Sequence, residues 1–159
     1  TIGRLCNQKN YFKLIDAYYI SKNKFGIKAK LVIIGSGELK QKIFSKINKL
    51  NLSQDIILID FIENPENIIN LSKLYIMNSI YEGYPNALVE AIILTKNVIS
   101  SNCNCGPRDF LTGENKKRLF NPHDVNDISS KIVNFIDSKK MKIDTIKRKI
   151  NEDNLKILQ

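Results

Sequence analysis

Residues 29–43, which read AKLVIIGSGELKQKI, are the clearest indication of the fold. Its first part is a short run of branched apolar residues, which is typical of a strand buried inside a parallel sheet. The run ends in the turn GSG at residues 35–37. Apolar residues then recur at the three- and four-residue spacing of one helix face: Leu39, Ile43, Ile47 and Leu50. The stretch therefore predicts a strand, a glycine turn and a helix in succession.

The same unit recurs on both sides of this stretch. Apolar periodicity predicts further helices over residues 11–24, 65–71, 87–94 and 125–136, and a turn or short helix at 106–111. Short apolar runs predict further strands at residues 55–61, 74–77, 98–100 and 118–120. Strands that alternate with helices form a mostly parallel sheet with helices on both faces. We therefore predict one α/β, Rossmann-like domain over residues 1–159, in which 139–159 is a helical tail.

The composition is that of a globular protein with an excess of positive charge. Hydrophobic residues make up 43% of the chain and charged residues 26%. The net charge of +9 fits either basic residues spread over solvated faces or attraction to phosphate groups. Basic residues are not interleaved with aromatic ones, so nucleic acid is not an expected partner. No apolar run approaches the roughly 20 residues that span a membrane.

The cysteines and the first residues of the chain indicate the cellular compartment of the protein. Cys6, Cys103 and Cys105 are an odd number without paired spacing, which favours a reducing, cytoplasmic compartment. The only histidine is His123, which we expect on a surface loop, and so no metal site is predicted. The sequence begins at Thr1, in a segment predicted to be the end of a strand, and no signal peptide is visible. We therefore expect the chain to be a piece of a longer protein.

The loops that follow the strands are the places to look for chemistry, because ligands bind at the carboxyl ends of the strands in such sheets. These loops are residues 4–9, 35–37, 61–64, 79–85 and 101–107. The GSG turn lacks the third glycine of a dinucleotide fingerprint. We therefore interpret it as a tight strand-to-helix turn, and a dehydrogenase is not predicted.

The most informative loop opens the stretch SIYEGYPNALVEA, residues 79–91. The helix predicted there is apolar on every face except at Glu90, so we expect it to be buried, with Glu90 in need of a partner or a function. Pro85 near the helix start leaves the next three N–H groups free at the positive end of the helix dipole, which suits a phosphate. Glu90 lies about 7.5 Å further along the axis. One ligand can therefore meet Glu82 and Glu90 at its two ends.

Each of these charged residues also has a purely structural interpretation. Glu82, just before the helix, can serve as its capping carboxylate. Glu90 can form a buried ion pair with one of the many lysines. Arg4 and Lys9 follow the first strand and can be solvated surface cations, although an Arg fork beside a Lys point charge is also a good phosphate clamp.

Several motifs, in the same order, resemble the retaining glycosyltransferases of the large family four, which have the GT-B fold. The two glutamates are separated by seven residues inside SxxEGYPNxxxEA, as in the signature of that family. Further segments are similar as well: GRLCNQKNYFKLIDA at residues 3–17, LVIIGSGELKQKI at 31–43 and NCNCGPRDFL at 102–111. The resemblance covers most of the chain and corresponds to the second half of such an enzyme, the nucleotide-sugar domain.

The resemblance implies roles for individual residues. Arg4 and Lys9 would bind the diphosphate of the donor. Glu82 would hydrogen-bond hydroxyls of the donor sugar, Glu90 would hold the ribose, and the base would meet the backbone near Ile62. The loop and helix start would complete the phosphate site with their backbone, at Gly83, Tyr84, Pro85, Asn86, Ala87 and Leu88.

The resemblance also implies an activity, namely sugar transfer from an NDP-sugar, preferably UDP-linked, without a metal or cofactor. The glycan or lipid-linked acceptor would bind through an N-terminal domain that is absent from this sequence, so we expect the chain alone to transfer little or no sugar. Members of the family commonly build bacterial surface polysaccharides on lipid carriers, so the resemblance implies a cytoplasmic enzyme with peripheral contact at the inner face of the membrane. Two alternatives stay open: a non-catalytic nucleotide-sugar-binding module or subunit, and a fragment of a GT-B-like nucleotide-sugar epimerase.

Overall fold

The computed structural model describes residues 1–95 and 97–138, and the predicted tail at 139–159 lies outside the described residues. The helices are α1 (Tyr11–Phe25), α2 (Lys40–Lys49), α3 (Glu66–Leu71), α4 (Asn86–Leu94), α5 (Pro107–Phe110) and α6 (Val125–Phe135). The strands are β1 (Leu31–Ile34), β2 (Ile56–Ile59), β3 (Tyr75–Met77), β4 (Val98–Ser101) and β5 (Leu119–Phe120). All lie close to their predicted bounds. Two short 3-10 helices, Asn7–Lys9 and Gly113–Arg118, were not predicted.

The paired strands run parallel, as predicted. β1 pairs with β2, from Leu31 opposite Ile56 onward, and β4 pairs with β3 on one side and β5 on the other. The hydrogen bonds therefore form two sheets, β1-β2 and β3-β4-β5, where the sequence led us to expect one. The start of the chain extends the first sheet, since Ile2 forms a parallel bridge with Ile34.

Helices cover both faces of these sheets. Ile76 of β3 and Ile99 of β4 belong to a core formed with α1, α2 and α6. Their neighbours Tyr75 and Val98 belong to a second core formed with α3, α4 and α5. Successive strand residues point to opposite faces, so the two cores lie on opposite sides of the strands. The predicted Rossmann-like arrangement is therefore confirmed.

Helix α4 is only partly buried, which corrects the expectation that all its faces are covered. Its buried residues are Leu88, Val89, Ala91 and Ile92. Asn86, Glu90 and Ile93 are exposed, and their spacing of four and three residues places them on one face. The helix packs its other face on the strands and leaves this one in solvent, although Ile93 is apolar. Glu90 is thus not a buried charge, and it needs no buried partner.

The glycine turn at residues 35–37 holds the start of the chain in place. The Leu5 N–H donates to the Ser36 carbonyl oxygen at 2.9 Å. A side chain at Gly35 would collide with Gly3, whose carbonyl oxygen lies 2.0 Å from the place of a Cβ atom. The turn is therefore a tight strand-to-helix connection, as predicted, and it fixes the first loop at the carboxyl end of β1.

Candidate functional site

Lys9 and Glu82 form an ion pair at the carboxyl ends of the strands. The Lys9 Nζ atom lies 2.5 Å from Glu82 Oε1, and the two side chains are only 21% and 9% exposed. Lys9 ends the 3-10 helix Asn7–Lys9, whereas Glu82 lies in the loop after β3. The structure thus brings together two of the predicted site residues from segments that are far apart in the sequence.

A second contact to Glu82 comes from its own loop. Ser79 is fully buried, and its Oγ atom donates to Glu82 Oε1 at 2.5 Å. The same carboxylate oxygen therefore accepts from both Lys9 and Ser79. No role was predicted for Ser79, although the spacing S-x-x-E is one at which a Ser and a Glu lie within a single turn.

Hydrogen bonds tie the two loops together around this ion pair. The Ile80 N–H donates to the Gln8 carbonyl oxygen at 2.8 Å, and the Gln8 Nε2 atom donates to the Tyr81 carbonyl oxygen at 2.9 Å. The Asn78 Nδ2 atom donates to the Asn10 carbonyl oxygen at 2.9 Å. These bonds, which no sequence pattern predicted, place the ion pair before any ligand arrives.

The remainder of the motif loop rests on the segment that follows β4. A Cβ atom at Gly106 would lie 2.8 Å from both the Gly83 carbonyl oxygen and the Pro85 Cδ atom. Gly106 also has a φ angle of +83°, which L side chains rarely adopt. Tyr84 packs edge-on against Phe110 of α5, with ring centroids 5.5 Å apart. Gly106 therefore lets the two loops touch, and α5 supports the loop through an aromatic contact.

Fewer N–H groups are free at the start of α4 than predicted. The Asn86 N–H donates to the Tyr84 carbonyl oxygen at 3.1 Å, and the Leu88 N–H donates to the Pro85 carbonyl oxygen at 2.9 Å. Pro85 has no N–H to offer. Within residues 1–95 and 97–138, the Ala87 N–H has no backbone acceptor and no side chain caps the helix. The prediction of free N–H groups at Asn86 and Leu88 is therefore wrong, because the turn before the helix uses them.

Three further predicted residues lie outside the ion pair. Arg4 is exposed and lines a cavity of about 330 Å³ together with Glu38 and Tyr81. Glu90 is exposed on α4, and Ile62 is half-buried after the end of β2. Arg4 and Ile62 thus lie on strand-end loops, as expected. In the described part of the chain, none of the three hydrogen-bonds to the ion pair.

The negative charges of both glutamates act on the same buried tyrosine. Burial raises the pKa of Tyr75 above its usual value, and the charge of Glu90, followed by that of Glu82, raises it further. Burial likewise raises the pKa of the Cys103 thiol, with a smaller contribution from Glu82. Tyr75 and Cys103 therefore stay neutral at physiological pH, and a neutral thiol is a poor nucleophile.

Clusters of metal-ligand side chains and membrane-spanning helices are both absent from the described residues. Nowhere in residues 1–95 and 97–138 do three or more His, Cys, Asp or Glu side chains gather as metal ligands would. His123 is exposed in the turn before α6, as predicted. None of the helices in this part of the chain is long and apolar enough to cross a bilayer.

A larger cavity lies away from the ion pair. It is an apolar groove of about 370 Å³ between the two sheets, lined by residues of β1, β3 and α3 such as Leu31, Tyr75 and Ile69. None of the predicted site residues lines it. Lys30 and Lys73 line the groove, but its surface is mainly apolar, so the polar strand-end loops are the better candidate for a nucleotide site.

Comparison with known proteins identifies the family to which this arrangement belongs. The family model of the glycosyl transferases group 1 matches residues 1–152. The chain belongs to this family. An uncharacterised glycosyltransferase of Methanocaldococcus jannaschii is 41% identical over 113 residues, which are 71% of this chain and 28% of that protein.

Two named enzymes are also similar to this group 1 glycosyltransferase chain. One is the Campylobacter jejuni N-acetylgalactosamine-N,N'-diacetylbacillosaminyl-diphospho-undecaprenol 4-alpha-N-acetylgalactosaminyltransferase. It is 32% identical over 110 residues, which are 69% of this chain and 29% of that enzyme. The other is a TarM mutant of Staphylococcus aureus, solved with fondaparinux, alpha-GlcNAc-glycerol and UDP. It superposes with a TM-score of 0.78 at 27% identity and covers 86% of this chain and 28% of its own.

These matches confirm a GT-B glycosyltransferase domain with parallel sheets between helices. The chain spans only 28%, 29% and 28% of the lengths of the three proteins. What the complete enzymes do is therefore not transferred to this chain by similarity alone.

Proposed function

We propose that this chain is the donor-binding, carboxyl-terminal half of a retaining glycosyltransferase that uses a nucleoside-diphosphate sugar. The observation that carries the proposal is the contact of 2.5 Å between Lys9 and Glu82 at the carboxyl ends of the strands. A diphosphate needs a cation, and sugar hydroxyls need a fixed acceptor. The two groups stand side by side here, on loops that are already tied together.

The remaining predicted residues complete this site in the proposal. Arg4, exposed on the first loop, joins Lys9 in binding the diphosphate. The Ala87 N–H and the positive end of the α4 dipole face the same charge. Glu90 binds the ribose, and its exposure supports this role, because a ligand can reach the carboxylate only from solvent.

The proposed chemistry rests on charge and positioning. As the glycosidic bond breaks, negative charge grows on the departing diphosphate, and the cationic side chains and the helix amide stabilise it. Glu82 orients the sugar and transfers no proton. The donor is UDP-linked in this proposal, and no metal takes part.

We place the acceptor on a part of the enzyme that lies outside this chain. The Campylobacter jejuni relative is named for a diphospho-undecaprenol substrate, which supports a glycan or lipid-linked acceptor. Action on such a substrate fits a cytoplasmic enzyme at the inner face of the membrane. If the facing half of the cleft belongs to that other part, the chain by itself binds donor weakly and transfers little or no sugar.

Titration calorimetry of the 159-residue chain with UDP, GDP and their sugars tests this proposal. We expect saturable binding of UDP and at least one UDP-sugar, and weaker binding of GDP. Absence of binding to every nucleotide would contradict a donor-binding domain. Robust sugar transfer by the chain alone would contradict its dependence on a second half, and an epimerised donor would favour the epimerase alternative.

A further inference from the structure

Ser79 differs from the other groups around Glu82 in that no ligand can reach it. It is fully buried, and its hydroxyl donates to Glu82 Oε1 at 2.5 Å. Lys9, the other donor to this oxygen, is partly exposed. Among the described residues, both hydrogen bonds to the Glu82 carboxylate go to Oε1, which leaves Oε2 to accept a further hydrogen bond.

A diphosphate changes these two contacts unequally. The Lys9 ammonium has three N–H donors and is drawn toward a second, stronger negative charge beside it. Its hold on Glu82 weakens accordingly. The Ser79 hydroxyl is neutral and enclosed, so it keeps its hydrogen bond while the ligand binds. Without the Ser79 hydrogen bond, the Glu82 side chain would sample several rotamers. Sugar binding would then have to restrict it to one of them, at a cost in entropy.

We propose that Ser79 is a positioning residue that makes the site prefer a nucleotide-sugar over the free nucleotide. It holds Glu82 Oε1 after Lys9 has turned to the diphosphate, and so presents Oε2 to a sugar hydroxyl. This inference rests on the proposed donor-binding function. It assigns the sugar preference to a residue that touches neither the nucleotide nor the sugar.

Calorimetric Kd values for UDP, UDP-glucose and UDP-N-acetylglucosamine test this role on the 159-residue chain. The readout is the ratio of the Kd for UDP to the Kd for the better-bound sugar nucleotide. In Ser79→Ala we expect this ratio to fall about 10-fold, the effect of one lost hydrogen bond to a charged group. The Kd for UDP itself should change less than about 2-fold, because Ser79 does not contact the diphosphate.

Two variants control for the loss of a buried hydroxyl as such. Ser79→Thr keeps the donor and should keep the ratio. Ser21→Ala removes an equally buried hydroxyl on α1, which is hydrogen-bonded to the Ala17 carbonyl oxygen, and should also keep the ratio. If Ser79→Ala does not fold, Ser79→Cys takes its place, since it has similar size and is a weak donor. It should lower the ratio by a smaller factor.

The outcomes separate this inference from the function on which it rests. A wild-type chain that binds no nucleotide overturns the proposed function. A wild-type chain that prefers the sugar nucleotide, with a ratio unchanged in Ser79→Ala, leaves the function standing and overturns the role of Ser79. A fall in affinity for UDP and the sugar nucleotide by the same factor also overturns it, because that is the mark of a merely structural residue.

Discussion

Glu82 and Glu90 are the two ends of one sequence motif, yet the structure treats them differently. The Glu82 side chain is 9% exposed and held by Lys9 and Ser79, whereas Glu90 is exposed on α4. The conformational entropy of the Glu82 side chain is lost when the protein folds, whereas that of the Glu90 side chain is lost only when a ligand binds. One motif can therefore contain both a side chain that is positioned before binding and a side chain that the ligand itself must order.

The two carboxylates also differ in what their charge does to a phosphate. Glu82 lies against Lys9 and compensates the cation that a diphosphate would use. Glu90 has no such neighbour among the ion pairs of the described residues. In the proposal Glu90 instead binds the ribose, so removal of the two charges should affect nucleotide affinity in opposite directions.

Lys9→Ala should weaken UDP binding by about 30-fold, because a hydrogen bond between charged groups contributes about 1.5–3 kcal/mol. Calorimetry measures the change. Lys13→Ala, a lysine of α1 four positions further on, is the matched control and should bind UDP like the wild type. Equal losses in both variants would mean that only the general positive charge of the chain attracts UDP.

Glu82→Ala should lower the free energy of unfolding by about 1.5 kcal/mol, because it leaves the Lys9 ammonium and the buried Ser79 hydroxyl without their acceptor. Glu90→Ala should change it by less than about 0.5 kcal/mol, as at an ordinary exposed position. Urea denaturation followed by circular dichroism measures both. Similar losses of stability in the two variants would contradict the conclusion that Glu82 is held in place before binding and Glu90 is not.

Glu90→Gln should weaken UDP binding by about 5-fold, since a charged acceptor for the ribose hydroxyls becomes a neutral one. Glu66→Gln, at an exposed position in the first turn of α3, is the control and should leave the Kd unchanged. Unchanged UDP binding in Glu90→Gln would remove Glu90 from the site.

Glu82→Gln should strengthen UDP binding by about 2- to 3-fold, since it replaces the charged partner of Lys9 by a neutral one and leaves the ammonium freer to bind the diphosphate. In the same variant the sugar nucleotide should lose its advantage over UDP. This expected effect is the smallest of the four, but its sign distinguishes the roles of Glu82 and Glu90 most clearly. A loss of UDP affinity, as in Glu90→Gln, would contradict it.

The elements of the fold could be predicted because they are encoded by local periodicity. Residues 29–43 showed a strand, turn and helix directly, and the structure has β1 and α2 there. The division into two sheets could not be predicted, since apolar runs do not specify which strands exchange hydrogen bonds. Burial of the whole of α4 was a wrong inference from composition: Ile93 is apolar but exposed.

The sequence could point to the loops of the candidate site, but not to the contacts between them. The motif pointed to Glu82, and the first loop pointed to Lys9. Their ion pair joins residues 73 positions apart, and such a contact has no local signal. Gln8 and Ser79 were missed for a related reason, since their roles follow from partners on a neighbouring loop or turn and not from their residue types.

In the proposed function, nucleotide binds at the strand-end loops and not in the apolar groove. NMR spectroscopy of the ¹⁵N-labelled 159-residue chain, titrated with UDP, tests it most directly. We predict that the largest amide shifts occur at residues 4–10 and 82–90, with Ala87 among them, and that they are lost in Lys9→Ala. Shifts concentrated at the groove, around Leu31, Ile69 and Tyr75, would contradict the account.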